Sequence, residues 1–180
     1  KPKQTMNEII KKNGINFGII TGVLSVLITT SIYIVDLALM TKWWLGISIL
    51  VVYIIIGCVL LVKTKKDLGG FMSFKEGFTV YFISALIGIV ISVIYNILLF
   101  NVIDPEAAIR LKELTLESTV QMLEKFGTPT SAIKETVDKM KDYNQFSTIE
   151  QLKGSIWSLV GSAVLGAILA AIFKKDKSVF

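Results

Sequence analysis

The sequence predicts an all-α, polytopic membrane protein with four transmembrane helices and an extramembrane helical hairpin between the third and the fourth. Four apolar stretches contain no lysine or arginine: Ile15–Met40, Trp43–Val62, Phe78–Ile103 and Gly154–Phe173. Each supplies the roughly 20 apolar residues that a helix needs to cross a hydrocarbon core about 30 Å thick. The stretches are apolar on all sides, whereas the helices of a soluble bundle carry polar residues at helical period. Together with 53% hydrophobic residues overall, this pattern favours membrane spans over a soluble bundle.

The first apolar stretch is expected to remain in the mature protein as a membrane helix. It is longer than the apolar core of a secretory signal, and it lacks a small-residue cleavage site. The segment Met6–Asn13 before it is short, polar and basic. We expect this segment to form a helical lead-in at the membrane interface.

The lysines predict that both termini are cytoplasmic and that residues 104–153 are extracytoplasmic. Short cytoplasmic flanks carry an excess of lysine and arginine. Placing the N-terminus, the second connection and the C-terminus on one side collects a dense set of cations there: Lys1, Lys3, Lys11, Lys12, Lys63, Lys65, Lys66, Lys75, Lys174, Lys175 and Lys177. The net charge of +5 then predicts attraction to anionic lipid rather than to nucleic acid.

The chain divides into three predicted regions. Residues 1–103 hold the first three membrane helices, 104–153 an amphipathic helical hairpin, and 154–180 the fourth membrane helix with a basic tail. Asp104 and Pro105 form a strong helix start, and Gly127 is a stop signal. Thr128-Pro129 starts a second helix, and Ser147-Thr-Ile-Glu150 is a capping box that starts the fourth membrane helix before its apolar part.

Small residues predict how the membrane helices pack. Because lipid supplies no hydrophobic drive for association, closely packed helices place small residues every fourth position on one face. Three stretches do so, at Gly14, Gly18 and Gly22; at Ser84, Gly88, Ser92 and Asn96; and at Gly154, Ser158, Ser162, Gly166 and Ala170. We predict that spans one, three and four meet through these faces and that span two is more peripheral. Alternatively, one face mediates a homodimer or contacts another subunit.

Aromatic residues mark the predicted membrane interfaces. Trp43 and Trp44 occupy the short turn between spans one and two, where an aromatic belt is expected. Phe71, Phe74 and Phe78 recur at helical spacing ahead of span three. We predict that these five side chains anchor the interfaces, the phenylalanines on an interfacial helical turn.

The composition excludes most site chemistry. The chain has no histidine and one cysteine, Cys58, which removes histidine-based nucleophile pairs, histidine metal ligands and thiol–metal spacing. Asp36 is the one clear acid within the spans, and such a residue is a functional candidate by default, although solvation or pairing with Lys42 or Tyr33 also explains it. Asn96 is a candidate for hydrogen bonding across helices. We predict no catalytic residue, no cofactor and no metal site.

The chain resembles a bacterial membrane family known as domain of unknown function 4199. The resemblance is carried by Gly70-Phe-Met-Ser-Phe-Lys-Glu-Gly-Phe78 and by Ile103-Asp-Pro-Glu106, together with the order of four spans and a charged helical insert before the last. It implies a bacterial cytoplasmic-membrane protein. It carries no reaction, ligand or catalytic residue.

The absence of recognisable chemistry leads to a functional hypothesis. We expect a non-enzymatic accessory or scaffold subunit that contacts a larger membrane complex, or a further copy of itself, through the hairpin or a small-residue face. The alternative is a small oligomeric transporter or channel that uses Asp36 and Asn96. An intramembrane enzyme acting on lipid is a third class, and it would need the carboxylates of the hairpin to converge with Asp36.

Overall fold

A computed structural model describes residues 6–176, apart from the side chains of Met6 and Asp142. This part of the chain forms six α-helices: α1 (Met6–Val35), α2 (Trp43–Asp67), α3 (Phe74–Leu98), α4 (Pro105–Lys125), α5 (Thr130–Asp142) and α6 (Thr148–Phe173). A 3-10 turn, Leu37–Thr41, follows α1, and a π-helical turn, Leu99–Ile103, extends α3. The all-α prediction is confirmed. Lys1, Lys3 and Lys177, which contribute to the predicted orientation, lie outside the described residues.

Four helices are long and apolar enough to cross a membrane. They are α1, α2, α3 with its π-helical turn, and α6. The protein is therefore a membrane-spanning helical protein with four candidate spans, as the sequence predicts. Below, the terminal end of the bundle is the end where α1 and α3 begin and α2 and α6 stop; the hairpin end is the opposite end, next to α4 and α5.

Helix α3 is the centre of the bundle because both α1 and α6 pack along it. At the terminal end, buried side chains from α1, α2, α3, α6 and the segment before α3 form the main apolar cluster: Ile10, Leu60, Leu61, Met72, Val80, Tyr81 and Leu169. A second cluster at the hairpin end joins Leu99 and Phe100 to Ala107 and Leu111 of α4. The two clusters stabilise the two ends of the bundle. Between them, the bundle is stabilised by the packing of α1 and α6 along α3.

Polar ties close the terminal end. The Asn13 side-chain amide of α1 donates to Thr64 Oγ1 at 3.2 Å and to Asp67 Oδ2 at 2.9 Å, both on α2. The segment before α3 pairs with the segment after α6, since the backbone N–H groups of Met72 and Lys175 each donate to the other's carbonyl, at 2.9 and 2.8 Å. Asn13 and Thr64 are buried, so these hydrogen bonds satisfy polar groups that water cannot reach.

The hairpin end is built from local signals that the sequence carries. Asp104 accepts from the Ala107 N–H at 2.9 Å and starts α4, with Pro105 as its first residue. Gly127 has φ +69°, the left-handed conformation that ends a helix at low cost only for glycine. The Ser147 hydroxyl accepts from the Glu150 N–H and starts α6. Helices α4 and α5 are antiparallel, since Lys112 near the start of α4 contacts Lys141 at the end of α5.

Helices α2 and α6 join the bundle only at the terminal end. The buried residues of α2 are Gly57, Leu60, Leu61 and Thr64, and those of α6 are Gly166, Leu169 and Ala170. Nearer the hairpin end, no described residue of either helix is buried. Helix α2 packs less extensively on the other spans than α1 and α6 pack on α3, so the prediction that span two is more peripheral is confirmed. Its terminal half nevertheless supplies Leu60 and Leu61 to the main cluster.

Two predicted boundaries differ from the structure. The first span was placed at Ile15–Met40, but α1 ends at Val35, because Asp36 starts a separate 3-10 turn. The helical turn that was to carry Phe71 begins only at Phe74, since Ser73 and Glu76 form a capping box there. A capping box stops helix from extending backwards past its first residue.

Candidate functional site

A cavity of about 460 Å³ lies between the four membrane helices. On α2 its wall extends from Gly46 to Leu60, a rise of about 21 Å at 1.5 Å per residue. The rest of the wall comes from α1, α3 and α6. The residues that line it include no aspartate, glutamate, lysine or arginine. The cavity is therefore a long, uncharged space whose axis follows the helices.

Tyr81 of α3 closes the cavity at the terminal end. Its ring lies between Gly57 of α2 and Gly166 of α6: a Cβ added at Gly57 would approach the ring to 2.7 Å, and one added at Gly166 would overlap it. Only glycine leaves room for the ring on both sides. The three residues thus join α2, α3 and α6 at one point, and Tyr81 is 8% exposed.

The wall carries hydroxyl groups, some paired and some unpaired. The Thr21 and Ser158 hydroxyls donate to carbonyls of their own helices, and the Ser25 hydroxyl of α1 donates to Ser92 of α3 at 2.8 Å. By contrast, the hydroxyls of Tyr81 and Ser84 have no hydrogen-bond partner among the described residues, although Ser84 is only 5% exposed. Among those residues, no sealed side-chain nitrogen or oxygen lacks a partner. These two hydroxyls are therefore not sealed, and the open space beside them is the cavity that both residues line.

The predicted small faces of spans one and three lie against each other. A Cβ added at Gly14, Gly18 or Gly22 would come within 2.9 Å of a branched side chain of α3, from Ile83, Ile87 and Ile91 respectively. In the other direction, Gly88 of α3 faces Thr21. The structure thus brings Gly14, Gly18, Gly22, Ser84, Gly88 and Ser92 together along one contact between α1 and α3.

The predicted small face of span four is divided. Gly166 packs on Tyr81, whereas Ser158 and Ser162 line the cavity instead of touching α3 closely. Further towards the hairpin end, a Cβ added at Gly154 or Gly161 would meet nothing within 4 Å. Only the terminal half of this face is used inside the molecule.

The structure places Asp36 and Asn96 apart from each other and outside the cavity wall. Asp36 is exposed just beyond α1, where its Oδ1 accepts from the Ala38 N–H at 2.8 Å. Of the alternatives for Asp36, pairing with Tyr33 is not found, because the Tyr33 hydroxyl donates to Asp104 at 2.8 Å. Asn96 donates to the Ser92 carbonyl of its own helix at 2.9 Å and to the Ser92 hydroxyl at 3.3 Å. Asp36 thus caps the 3-10 turn, and the side-chain amide of Asn96 bonds within α3.

The predicted interface anchors lie near the two ends of the bundle. Trp43 and Trp44 begin α2 at the hairpin end and are both exposed. Phe74 and Phe78 stack on α3 at the terminal end, with ring centroids 6.2 Å apart. Phe71 lies ahead of the helix, and the Lys175 ammonium is 5.4 Å from its ring centroid.

An electrostatic cluster at the hairpin end was not foreseen. Asp104 accepts from the Tyr33 hydroxyl, from the Ala107 N–H and from Arg110 at 3.3 Å. The hydrogen bond from Tyr33 is the largest cause that lowers the pKa of Asp104, followed by the one from the Ala107 N–H. Asp104 therefore links the end of α1 to the start of α4 as a carboxylate. The sequence signalled its capping role but not its partner on α1.

Two other contacts between helices were not predicted from the sequence. The wedge of Tyr81 between Gly57 and Gly166 was not predicted, since Gly57 looked isolated in the sequence. The pairing of Asn13 with Thr64 was also missed; a polar residue on each of two neighbouring helices near the same interface was the available signal.

Four membrane-crossing helices, a closed terminal end and an uncharged central cavity define a polytopic α-helical membrane protein. The chain belongs to the family described as Protein of unknown function (DUF4199), whose model matches residues 16–175. This match confirms the resemblance noted in the sequence. Comparison with curated proteins and with solved structures gives no match.

Proposed function

We propose that this protein is a non-enzymatic accessory subunit that binds a transmembrane helix of a larger membrane protein along the hairpin-end half of α6. The observation that supports the proposal is the difference in burial between the two halves of α6. Its terminal half packs on α3, while no residue of Thr148–Leu165 is buried. Gly154 and Gly161 in that half have open space where a Cβ would be. A partner backbone can approach closely at such positions.

The hairpin supports the same interpretation. Helices α4 and α5 lie outside the four candidate spans, yet Ile109, Met122 and Phe126 of α4 are exposed, Phe126 by 81%. No described residue of α5 is buried. Apolar side chains left uncovered on a module outside the bilayer are typical of an interaction surface. This surface precedes α6 in the chain, so one partner is expected to contact both.

The assignment as a non-enzyme is supported by the chemistry of the cavity wall. Its polar groups are hydroxyls, and it has no carboxylate, amine or imidazole to act as an acid or base near pH 7. The transport alternative is not favoured, because neither Asp36 nor Asn96 lines the cavity. A transport route through the cavity would need other residues than those two.

Co-purification tests the accessory role. The full-length protein is purified from its own membranes in mild detergent, and everything that elutes with it is identified by mass spectrometry. We expect a companion at near-equal abundance. Gly161→Leu should lose the companion and keep its thermal stability, since a Cβ at this position meets nothing within 4 Å.

The matched control is Ala171→Leu, which enlarges an exposed residue in the terminal half of the same helix. It should retain the companion. Purification of the wild type alone, or only as a homo-oligomer, contradicts the proposal. So does a companion that remains on Gly161→Leu.

We further propose that the terminal end faces the cytoplasm across a bacterial cytoplasmic membrane. The end of α2, the start of α3 and the end of α6 lie there, and they carry Lys63, Lys65, Lys66, Lys75, Lys174 and Lys175. Such a concentration of lysine is typical of the cytoplasmic side. In intact cells, with Cys58 replaced by serine, a membrane-impermeant maleimide should label Lys125→Cys but not Lys174→Cys. The reverse labelling would invert the orientation.

A further inference from the structure

The closed end of the central cavity holds two hydroxyl donors without acceptors. Tyr81 and Ser84 are one turn apart on α3, so their side chains are neighbours on one face. Tyr81 is 8% and Ser84 5% exposed, and both line the cavity. Among the other wall hydroxyls, those of Thr21, Ser25 and Ser158 donate to their own helix or to Ser92. Those of Thr29, Tyr53 and Ser162 also lack a partner among the described residues, but these three side chains are less buried than Tyr81 and Ser84. Both hydroxyls open into the cavity, so an occupant of the cavity can supply the acceptor that the described residues do not.

The remainder of the wall restricts what that occupant can be. None of the described residues that line the cavity is charged, and an ion in such surroundings would be strongly disfavoured. The volume of about 460 Å³ falls in the range of roughly 300–1,000 Å³ that small-molecule sites have. Beyond the two hydroxyls the space continues for several helical turns between Ile49, Leu50, Ile56 and Ile89. The shape therefore fits a compact neutral polar group with a long apolar tail.

We infer that an occupant enters the cavity from the bilayer between α2 and α6. These helices are joined around Tyr81 but have no buried residue towards the hairpin end. A molecule dissolved in the membrane can therefore enter sideways at that end and advance with its polar group towards Tyr81.

We propose that the cavity binds an uncharged lipophilic molecule whose carbonyl oxygen accepts hydrogen bonds from Tyr81 and Ser84. A carbonyl oxygen has two lone pairs, so one atom can accept from both donors. Two kinds of membrane molecule offer this chemistry, a quinone with an apolar tail and the ester of an acyl chain. This binding goes beyond the accessory role and does not depend on it, since the partner surface uses Gly154 and Gly161, which do not line the cavity.

The test measures binding to the full-length purified protein by native mass spectrometry with three probes of equal tail length. These are a decyl-substituted benzoquinone, the methyl ester of undecanoic acid, and decane, which has the tail and no carbonyl. We expect at least one carbonyl probe to bind more tightly than decane, and the tighter of the two identifies the source. Organic extraction of the protein purified from its own membranes should yield the same class.

Variants then assign the contact. Tyr81→Phe keeps the ring between Gly57 and Gly166 and removes only the hydroxyl, and Ser84→Ala removes the second donor. Each variant should lower the affinity for the carbonyl probe about three- to ten-fold, which corresponds to the loss of one hydrogen bond. The affinity for decane should not change. Tyr95→Phe is the matched control, because the Tyr95 hydroxyl pairs with Thr30 outside the cavity, and it should bind as the wild type does.

Three results would overturn the proposal. One is decane binding as tightly as both carbonyl probes. Another is full affinity for the carbonyl probe in the double variant Tyr81→Phe, Ser84→Ala. The third is no binding by any probe, which would mean that only water fills the space. If a variant fails to fold, the comparison of carbonyl probes with decane on the wild type decides the question by itself.

Discussion

Substitution of Gly166 by alanine should destabilise the bundle, whereas the same substitution at Gly161 should not. Both glycines are in α6, five residues apart. A Cβ at Gly166 would overlap the Tyr81 ring, and the ring has no room to retreat because Gly57 is on its other side. At Gly161 a Cβ would meet nothing within 4 Å.

The pair of variants isolates the contact energy. Replacing glycine by alanine in a helix interior favours the helix by roughly 0.5–1 kcal/mol, and this gain is common to both sites. Overpacking a tight contact costs typically about 1–3 kcal/mol, and this cost arises only at Gly166. The difference in unfolding free energy between the two variants should therefore be about 1–3 kcal/mol, or roughly 2–12 °C in Tm for a chain of this size.

Thermal unfolding of the purified protein in detergent, followed by circular dichroism, measures the difference. Adding Tyr81→Leu to Gly166→Ala should recover part of the loss, since the smaller side chain vacates the contact. Equal midpoints for the two alanine variants would refute the wedge of Tyr81 between α2 and α6. A fall at Gly161 alone would refute the claim that this part of α6 is open.

Three further predictions concern other contacts. Gly18→Leu should separate α1 from α3, because even a Cβ there comes within 2.7 Å of Ile87; we expect a lower Tm in detergent, and an unchanged Tm would contradict the packing. Thr64→Val keeps the buried shape and removes the acceptor of Asn13, so it should cost about 1 kcal/mol in denaturant unfolding, and a neutral result would show that the bond adds nothing. The pKa of Asp104 is lowered in the folded protein. The carboxylate therefore contributes its full stabilisation above about pH 4, where an aspartate in the unfolded chain ionises, and loses that contribution as pH falls through the lowered pKa. Asp104→Asn should flatten that acid decline in a pH series of unfolding midpoints, and an identical acid profile would contradict the linkage.

The two proposals use different parts of one asymmetric architecture. The terminal end is closed by Tyr81 and by the polar ties between α1 and α2. Towards the hairpin end α2 and α6 have no buried residue, which leaves both an entry to the cavity and a helix surface for a partner. We therefore expect Gly161→Leu to lose the partner and keep the ligand, and Tyr81→Phe to lose affinity for the ligand and keep the partner.

Several elements could be predicted from short sequence patterns because their causes are local. Asp104 with Pro105, and Ser147 with Glu150, start helices through hydrogen bonds to residues three positions away. Gly127 ends a helix through its own backbone conformation. The spans themselves follow from composition summed over about 20 consecutive residues. None of these features needs knowledge of a distant residue.

The site could not be predicted in the same way. Gly57 and Gly166 are more than 100 residues apart in sequence, and each acquires its role only because Tyr81 lies between them. Tyr33 is three residues before Asp36 and was a possible partner for it, yet the Tyr33 hydroxyl bonds to Asp104. Which partner a polar group finds depends on the relative rotation of helices, and no local pattern encodes that rotation.

The sequence by itself thus determined the class of protein, the four spans, the helical hairpin and most helix starts, because hydrophobicity and capping act over a single turn or a single span. Only the tertiary structure decided which small residues touch, where the buried residues of α2 and α6 end, and that a cavity between the four spans has the unpaired hydroxyls of Tyr81 and Ser84 at its closed end. The physical reason is that lipid surrounds every face of a membrane helix with similar apolar atoms. The packing face is consequently not marked by hydrophobicity, and it is defined only when the side chains of neighbouring helices meet.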